Sequence, residues 1–421
     1  MDKLVIEGGK KLSGSIEISG AKNACLPIIA ATLLTDEKCV ISNVPDLKDV
    51  TTMLKILEGM GRKIKKSGGK IEVSGGKVTS VIAQYDLVRT MRASIAVLGP
   101  LLAKYGEAKV SFPGGCVIGP RPVDLHFKGL KALGADIIVE EGYIVARAKK
   151  LKGARVYLGG HFGSSVLATA NTMMAAVMAE GETVIEDAAC EPEVADLANF
   201  LIKMGADIKG PGTPTLRIRG VKSLSGAEHS IIPDRIEAGT YMMAALITGG
   251  KLKILGADIE HNIALVDKMR EIGAKIEESS GAVTVSRLSG KLKPTDVTTF
   301  TYPGFPTDLQ AQMMSLVSLS KGISVITEKV YPERFIHISE LNRMGANILL
   351  EGATAIIKGV DRLSGAPVMA SDLRASAALV LAALVAEGTT EISRIYHLDR
   401  GYERLEEKLS GVGAVIKRVK E

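Results

Sequence analysis

The chain has 421 residues, of which 46% are hydrophobic and 24% charged, the composition of a globular protein of two or three domains. Tryptophan is absent, aromatic residues make up 4% and the net charge is only +6, which argues against a nucleic-acid partner. We expect the modest excess of lysine and arginine to serve small anionic substrates instead.

One pattern recurs six times along the chain: an amphipathic segment ends in glycine and a short strand follows. The six copies are Met60-Gly61-Arg62-Lys63-Ile64, Leu133-Gly134-Ala135-Asp136-Ile137, Met204-Gly205-Ala206-Asp207-Ile208, Ile272-Gly273-Ala274-Lys275-Ile276, Met344-Gly345-Ala346-Asn347-Ile348 and Val412-Gly413-Ala414-Val415-Ile416. Successive glycines lie 73, 71, 68, 72 and 68 residues apart. This even spacing predicts six copies of one supersecondary unit.

Each unit opens with a helix that is apolar on nearly all sides and should therefore be buried. In chain order these helices are predicted at 25–34, 95–103, 166–179, 236–248, 309–318 and 375–386. A strand follows, as at 183–186 and 324–327, and after a polar loop comes an amphipathic helix such as the one with Val194, Leu197, Leu201 and Met204. Glycine caps that helix, and strands such as 71–74 and 284–286 close the unit.

No segment predicts a membrane span or a secretory leader. The longest weakly polar stretch, 375–386, is shorter than the roughly 18–20 residues that cross a bilayer. Asp2, Lys3 and Glu7 interrupt any apolar run at the start. The four cysteines are scattered without a CxxC pair, which predicts neither a zinc site nor a disulfide framework and favours a cytoplasmic location.

The units divide into two halves, because Leu12-Ser13-Gly14 recurs as Leu224-Ser225-Gly226, 212 residues later. We therefore expect two domains of three units. Each domain would have three sheets and three amphipathic helices around three buried helices. Two such domains facing each other would form a cleft, the usual place for a ligand.

Polar residues gather at equivalent points of the repeat, before the apolar helices and after the following strands. Lys22, Arg92 and Arg374 stand at helix starts, where the helix dipole disfavours cations, and so indicate anion binding. Ser164, Ser165 and Asp234 are either N-caps or ligand contacts. The interpretation favoured for Glu191 and Glu193 is first-turn helix charges, and His261 and His337 are expected in loops or at the surface.

The segment 114–124 has three glycines and two prolines, which is typical of a loop that can move. It contains Cys116, with Arg121 near enough to favour a thiolate, so we predict a reactive cysteine there. Cys25, Cys39 and Cys190 are expected to be structural, and Cys25 and Cys39 fall in apolar segments.

Five motifs are spread over essentially the whole chain: Ile18-Ser19-Gly20-Ala21-Lys22-Asn23-Ala24, the 114–124 loop, Phe305-Pro306-Thr307-Asp308-Leu309-Gln310-Ala311-Gln312, Ala370-Ser371-Asp372-Leu373-Arg374-Ala375-Ser376 and Tyr396-His397-Leu398-Asp399-Arg400-Gly401-Tyr402-Glu403. Together they resemble the UDP-N-acetylglucosamine 1-carboxyvinyltransferase family. The resemblance implies an α/β fold of two inside-out α/β barrel domains, each of three repeated units, facing across a cleft. One domain would be 1–20 plus 231–421, and the other 21–230 with a mobile cysteine loop at 112–122.

The implied activity is transfer of enolpyruvate from phosphoenolpyruvate to the 3-hydroxyl of UDP-N-acetylglucosamine, the first committed step of peptidoglycan precursor synthesis. Cys116 would protonate the methylene carbon, could form a thioether adduct, and would be the target of fosfomycin. Asp308 would accept the hydroxyl proton. Lys22, Arg121 and Arg400 would hold phosphoenolpyruvate, while Arg334, Asp372 and Arg374 would complete the charged site.

The resemblance also implies the contacts to the UDP-sugar. These residues are Asn23, Arg92, Arg121, Pro122, Val123, Asp124, Leu125, His161, Phe162, Gly163, Ser164, Asp308 and Val330. At 160–169 the sequence departs from the family's approximate Ser-Val-Gly-Ala-Thr pattern, which leaves room for an altered acceptor. Neither a metal nor a cofactor is expected, since lysine and arginine can neutralise the anions.

Two alternatives remain at this point. The shikimate 3-phosphate enolpyruvyl transferases share the repeat and the chemistry, but they lack the cysteine loop and have a Gly-Ser-Lys type motif in place of Gly20-Ala21-Lys22-Asn23. A noncatalytic repeat scaffold would explain the sixfold unit. It would not explain charges at equivalent loop points of every unit.

Overall fold

The computed structural model describes residues 2–75, 78–89, 91–112 and 123–420. They form an α/β fold with two compact units. The C-terminal unit contains residues 2–19 and 233–420, and the N-terminal unit contains the described residues between 20 and 232. Each unit has its own cluster of buried apolar side chains.

Each unit contains three four-stranded mixed sheets, with strands numbered here in chain order. The sheets of the N-terminal unit are β14 (Glu228–Ser230), β3 (Cys39–Ser42), β5 (Lys70–Ser74), β4 (Lys63–Ser67); β6 (Ile82–Ala83), β7 (Glu107–Ser111), β9 (Tyr143–Arg147), β8 (Asp136–Glu140); and β10 (Arg155–Tyr157), β11 (Glu182–Glu186), β13 (Thr215–Arg219), β12 (Asp207–Lys209). Those of the C-terminal unit are β2 (Ser13–Glu17), β15 (Lys251–Leu255), β17 (Ala282–Arg287), β16 (Ala274–Ser279); β18 (Val297–Thr298), β19 (Ile323–Thr327), β21 (Thr354–Lys358), β20 (Asn347–Glu351); and β22 (Pro367–Met369), β23 (Thr389–Ser393), β1 (Asp2–Glu7), β24 (Val415–Lys420).

All six sheets follow one pairing rule. The first strand is parallel to the second, and the other two pairings are antiparallel. Two sheets of the C-terminal unit are completed by the start of the chain: β1 pairs with β23 and β24, and β2 pairs with β15. These pairings place residues 2–19 in the C-terminal unit.

Two kinds of helix alternate in each unit. The buried helices are α1 (Lys22–Ala31), α4 (Leu98–Tyr105) and α6 (Val166–Ala176) in the N-terminal unit, and α8 (Arg235–Thr248), α10 (Gln310–Val317) and α12 (Leu373–Ala383) in the C-terminal unit. The second helices of the repeats are α2 (Lys48–Gly59), α5 (Asp124–Ala132), α7 (Pro192–Lys203), α9 (Ile263–Ile272), α11 (Ile338–Arg343) and α13 (Leu405–Ser410). A short helix, α3 (Tyr85–Val88), and 3-10 helices at Thr32–Leu34, Arg92–Val97, Glu260–Asn262, Thr307–Leu309 and Ile395–Arg400 complete the helical structure that is described.

The sixfold repeat predicted from the sequence is confirmed in the backbone. All six marker glycines have positive φ, from 90° to 117°. Gly61, Gly134, Gly205 and Gly345 each follow directly after the C-cap of a repeat helix, where glycine adopts the left-handed conformation at little cost. The predicted apolar helices are buried, and α8 is buried along its whole length. In the described residues, no helix is both long and apolar enough to span a membrane.

Candidate active site

In the N-terminal unit, Lys22 is the first residue of α1, whose N-cap residue offers no side-chain cap. Its ammonium nitrogen lies 2.6 Å from Oδ2 of Asp49, and the two side chains are only 10% and 5% exposed. Asn23 beside it is partly buried. A buried cation at a helix start, whose free N–H groups also attract anions, is suited to holding a phosphate or carboxylate.

Asn171, which the sequence analysis did not single out, hydrogen-bonds to the segments that carry the candidates Arg92 and Asp124. Its amide nitrogen donates to the carbonyl of Ile95 at 2.9 Å, and its Oδ1 accepts from the N–H of Gly99 at 2.8 Å. The same amide nitrogen lies 2.9 Å from Nδ1 of His126. Asn171 of α6 thereby connects the 3-10 helix that begins at Arg92 with α5.

The α5 helix carries three candidates near its start. Val123 is buried, Asp124 is exposed and Leu125 is partly buried. Burial, together with the charge of Arg92, lowers the pKa of His126 to about 3, so its ring is neutral at physiological pH. Because Nδ1 then accepts from Asn171, the ring proton is on Nε2.

The candidates His161–Ser164 form a tight turn before α6. The N–H of each of Gly160 and Gly163 donates to the carbonyl of the other, at 3.0 and 3.1 Å. Gly163 has a φ of 90°, and the exposed rings of His161 and Phe162 pack edge to face at 4.7 Å. Ser165, not Ser164, caps α6, since its hydroxyl accepts from the N–H of Ala168.

In the C-terminal unit, Asp308 is bound between two arginines. Arg334 Nη1 donates to Oδ1 at 2.7 Å and Arg374 Nη2 donates to Oδ2 at 3.0 Å. The arginine side chains are 5% and 1% exposed, and that of Asp308 is 25% exposed. Burial acts to raise the pKa of Asp308, but the charges of Arg374 and Arg334 outweigh it and hold the pKa well below its usual value.

Asp372, predicted to help complete the charged site, stands at the N-cap of α12. Its carboxylate caps α12 by accepting from the N–H groups of Arg374 and Ala375, at 2.8 and 3.2 Å. Asp234 caps α8 in the same way. For Ser165 and Asp234, which the sequence left open, the structure therefore shows N-caps.

A buried polar layer that the sequence did not indicate lies against Asp308 and Arg374. The guanidinium of Arg374 stands 5.4 Å from the ring centre of Tyr402. Gln312 Nε2 donates to the Tyr402 hydroxyl at 3.1 Å and to the backbone carbonyl of Asp308 at 3.0 Å. The Tyr402 and Thr240 hydroxyls are 2.9 Å apart. This layer fixes the backbone of Asp308 from inside the unit.

Two further candidates lie on loops of the C-terminal unit. Arg400 is half-buried at the end of the 3-10 helix Ile395–Arg400. Val330 is half-buried, and its N–H donates to Oε1 of Glu328 at 2.8 Å. The neighbouring Asp399 is bound by Arg418 at 2.7 Å.

Cys116, Arg121 and Pro122 lie outside the described residues, as does most of the predicted 112–122 loop. The other cysteines fit the structural assignment: Cys25 and Cys39 are fully buried and Cys190 is partly buried. Burial raises the pKa of all three thiols.

His337 lies in the turn before α11, which agrees with the expectation of a loop, but its side chain is only 1% exposed. His261 lies in the 3-10 helix Glu260–Asn262, with 27% of its side chain exposed. Glu193 lies in the first turn of α7, as expected. Within the described ranges, histidine, cysteine and carboxylate side chains do not gather in threes that could hold a metal ion.

Comparison with known proteins gives a consistent family. The sequence model of EPSP synthase (3-phosphoshikimate 1-carboxyvinyltransferase) matches residues 6–409. The UDP-N-acetylglucosamine 1-carboxyvinyltransferase of Methylacidiphilum infernorum is 55% identical over 419 residues, 100% of this chain and 99% of the relative. That of Geobacter metallireducens is 54% identical over the whole of both chains.

Solved structures agree with this. The enolpyruvyl transferase NikO from Streptomyces tendae matches with a TM-score of 0.89 at 25% identity, covering 100% of this chain and 99% of that one. An EPSP synthase from Acinetobacter baumannii matches with a TM-score of 0.74 at 17% identity over the whole of both chains, which shows a shared fold. With more than half of its residues identical to those of full-length relatives, this chain belongs to the UDP-N-acetylglucosamine 1-carboxyvinyltransferase family.

Proposed function

We propose that this chain transfers the enolpyruvyl group of phosphoenolpyruvate to the 3-hydroxyl of UDP-N-acetylglucosamine, releasing phosphate in the first committed step of peptidoglycan precursor synthesis. The observation that carries the proposal is the identity of 54–55% with relatives named for this transfer, over the whole chain. The chain would act in the cytoplasm on these small molecules, without a nucleic-acid or membrane partner. The shikimate 3-phosphate alternative has less support, since two solved EPSP synthases that match this chain are 17% and 18% identical to it.

The reaction requires an acid at carbon, a base at oxygen and cations for the anionic groups. In the addition step the methylene carbon of phosphoenolpyruvate takes a proton, the sugar oxygen bonds to the neighbouring carbon and the hydroxyl loses its proton. In the elimination step the methyl carbon gives up a proton and the bond to phosphate breaks. Cys116 is the proposed proton donor to carbon, and Asp308 the proposed acceptor of the hydroxyl proton.

The arginine pair around Asp308 constrains that role. A carboxylate whose pKa lies well below its usual value is ionised at neutral pH but is a weak base. We therefore expect the bound substrate to replace one of the guanidinium contacts, 2.7 Å from Arg334 or 3.0 Å from Arg374. The carboxylate would then gain basicity at the moment when the hydroxyl lies against it.

The remaining candidates are proposed as binding groups. Lys22, Arg121 and Arg400 would hold phosphoenolpyruvate, and the buried position of Lys22 supports a strong charge interaction. Asn23, Arg92, Arg121 to Leu125 and Val330 would hold the UDP-sugar, together with the turn His161–Ser164. The connection of the Arg92 helix and α5 through Asn171 supports treating these two segments as one binding surface.

The two units are proposed to be the two domains of the transferase, 1–20 plus 231–421 and 21–230. Each is proposed to be an inside-out α/β barrel of three repeats. The support is that each of them has three four-stranded sheets, that α8, α10 and α12 all contact one another, and that α6 contacts both α1 and α4.

Phosphate release tests the proposed function. Purified chain should release phosphate from phosphoenolpyruvate only when UDP-N-acetylglucosamine is present, and shikimate 3-phosphate should not replace it. Release of phosphate from phosphoenolpyruvate with shikimate 3-phosphate as the only acceptor would contradict the proposal.

Cysteine variants test the proposed acid. Cys116→Asp should retain measurable turnover, because a carboxyl group of similar reach can donate a proton, whereas Cys116→Ser should lose nearly all of it. Fosfomycin should inactivate the parent and leave the Asp variant active. Parental turnover in Cys116→Ser, or a label found by mass spectrometry on another cysteine, would refute the assignment.

A further inference from the structure

A buried carboxylate that has no role in the proposed chemistry lies at the end of β19. Glu328 is 1% exposed, and its own N–H donates to the carbonyl of Ala353. Its two carboxylate oxygens accept four hydrogen bonds, from Thr299 Oγ1 at 2.6 Å, Val330 N at 2.8 Å and Tyr331 N at 2.9 Å on Oε1, and from Thr307 Oγ1 at 2.9 Å on Oε2. A buried ionised carboxylate needs such donors.

These four bonds bring separate parts of the candidate site onto one side chain. Thr307 is adjacent in sequence to Asp308, and its hydroxyl accepts from Arg334 Nη1 at 3.1 Å. The same nitrogen donates to Asp308 at 2.7 Å. On its other oxygen Glu328 holds the loop of Val330. One carboxylate thus joins the acceptor-binding loop to the proposed base and its arginine.

The donor and the acceptor of each hydrogen bond between Glu328, Thr307 and Arg334 are determined. A carboxylate only accepts, so Thr307 must donate to Glu328 and has its lone pairs left for Arg334. Since Glu328 occupies the N–H of Val330, only the carbonyl and the side chain of Val330 remain for a ligand. The orientation of that loop toward the UDP-sugar therefore depends on Glu328.

The repeat itself does not call for a glutamate here. The residues that directly follow the second strand of each sheet are Asn43, Phe112, Asp187, Gly256, Glu328 and Arg394. Asn43, Asp187, Gly256 and Arg394 have positive φ, from 53° to 81°, whereas Glu328 does not. At the point where it carries the site, the fifth repeat thus lacks the positive-φ turn that four of the six repeats share.

We propose that Glu328 is a positioning residue that sets the acceptor-binding loop 329–331 and the Thr307–Arg334–Asp308 group in one fixed arrangement. This inference rests on the proposed function. It assigns to Glu328 no contact with either substrate.

Glu328→Gln is the main test, because it keeps shape while replacing an acceptor with a donor. Whichever way the amide turns, an NH₂ group faces either the loop N–H groups or Thr307. We expect the KM for UDP-N-acetylglucosamine to rise about tenfold or more, as for loss of hydrogen bonds to a charged group. kcat should also fall, while the KM for phosphoenolpyruvate should stay within about twofold of the parent. A merely structural role would lower the active fraction without changing one KM selectively.

Thr307→Val and Thr307→Ser provide a second test that keeps Glu328 intact. The valine variant removes only the bond to Oε2 and the acceptor for Arg334. Its kcat, corrected for the folded fraction from circular dichroism, should fall about tenfold, and the serine variant should restore most of it. This pair decides the question even if Glu328→Gln does not fold.

Asp296→Asn is the matched control. Asp296 is an exposed carboxylate that accepts the N–H of Val325 in the same sheet, so its loss should leave both KM values unchanged. Two results would overturn the inference while leaving the proposed function intact, provided that the parent is active. One is a folded Glu328→Gln variant with the KM values of the parent. The other is a Thr307→Ser variant as impaired as Thr307→Val. A parent that releases no phosphate with UDP-N-acetylglucosamine would instead overturn the proposed function on which the inference rests.

Discussion

His126 of the N-terminal unit and His337 of the C-terminal unit occupy the same position of their repeats, but their surroundings differ. His126 and His337 each lie eight residues before a marker glycine, Gly134 and Gly345. The other four repeats have Met53, Leu197, Leu265 and Leu405 at this position. Both histidines are buried, at 3% and 1% exposure, so both occupy a place that the fold elsewhere fills with an apolar side chain.

Their neighbours assign them different roles. His126 Nδ1 is hydrogen-bonded to Asn171, which joins three helical segments of the N-terminal unit. His337 Nε2 has no hydrogen-bond partner among the described residues. The charges of Asp372 and Arg334 act on the ring instead. One repeat position thus belongs to a hydrogen-bonded scaffold in one unit and to a charged cluster in the other. Equivalent backbone positions do not imply equivalent chemistry.

The largest effect is expected from removing the charge of Asp308, which lies between Arg334 and Arg374 in the C-terminal unit. Asp308→Asn keeps shape but leaves Arg334 and Arg374 without their common counter-charge. Turnover should fall by at least about 100-fold, in the range for loss of a general base. Stability should fall by about 2–3 kcal/mol, somewhat below the value for a fully buried pair. Phosphate release and urea unfolding measure both. Undiminished turnover would remove Asp308 from the proposed mechanism.

Removing the scaffold of the N-terminal unit should act on stability instead. Asn171→Leu leaves the N–H of Gly99 unpaired in the interior, removes the donor to Nδ1 of His126, and takes one of two hydrogen bonds from the carbonyl of Ile95, which still accepts from the N–H of Leu98. We expect a loss of about 3 kcal/mol in the free energy of unfolding. Asn342→Leu is the control, since this exposed asparagine also makes two backbone hydrogen bonds. Similar losses in the two variants would contradict the role given to Asn171.

Acid titration should reveal both histidines through stability. Burial, together with the charge of Arg92, lowers the pKa of His126 to about 3. Burial also lowers the pKa of His337 to about 4, while the charge of Asp372 opposes this shift and that of Arg334 adds to it. Below the unfolded pKa of about 6.5 the unfolded chain binds a proton that the folded chain does not, so stability falls with falling pH. Each histidine should contribute up to about 1.4 kcal/mol per pH unit between pH 6.5 and 4. Replacing either by leucine should reduce this slope, as measured by denaturation from pH 8 to 4.5. An unchanged slope would show that the ring is protonated in the folded chain.

At pH 8 the same two leucine variants should differ in sign, with small effects. His126→Leu loses an acceptor for Asn171 and should cost about 1 kcal/mol. His337→Leu removes a buried nitrogen without a partner and should be neutral or stabilising by up to about 1 kcal/mol. Equal losses in the two variants would remove the contrast between the two surroundings.

The repeat was readable from sequence because its signals are local. The helix-terminating glycines and the uniformly apolar helices depend on residues close in the chain, and both are confirmed. The pairing of β1 with β23 and β24 involves residues 382 to 418 positions apart, and no local pattern indicates it. Why residues 2–19 join the C-terminal unit becomes visible only in the sheets.

The candidate site divides in the same way. Charged residues at helix starts were recognisable, and Asp308, Arg334 and Arg374 do meet in the structure. Glu328, Asn171 and Tyr402 act through tertiary hydrogen bonds, and their sequence context resembles ordinary strand ends and core helices. The burial of His337 was not predicted, because histidine seldom fills an apolar repeat position. Aligning the six repeats would have shown that four of them have an apolar residue at this position.

The burial of the cysteines has a practical consequence for covalent chemical probes. With the thiol pKa of Cys25, Cys39 and Cys190 raised, little thiolate is present on them at neutral pH, and the first two are closed to solvent. Electrophilic fragments, maleimide dyes or isotope-coded tags should therefore react slowly with these three cysteines. The sequence contains only one other cysteine, so fast stoichiometric labelling can be attributed to Cys116 in the unmodified enzyme. Reagents can then be ranked by simple rate measurements, without first making a variant stripped of its other thiols.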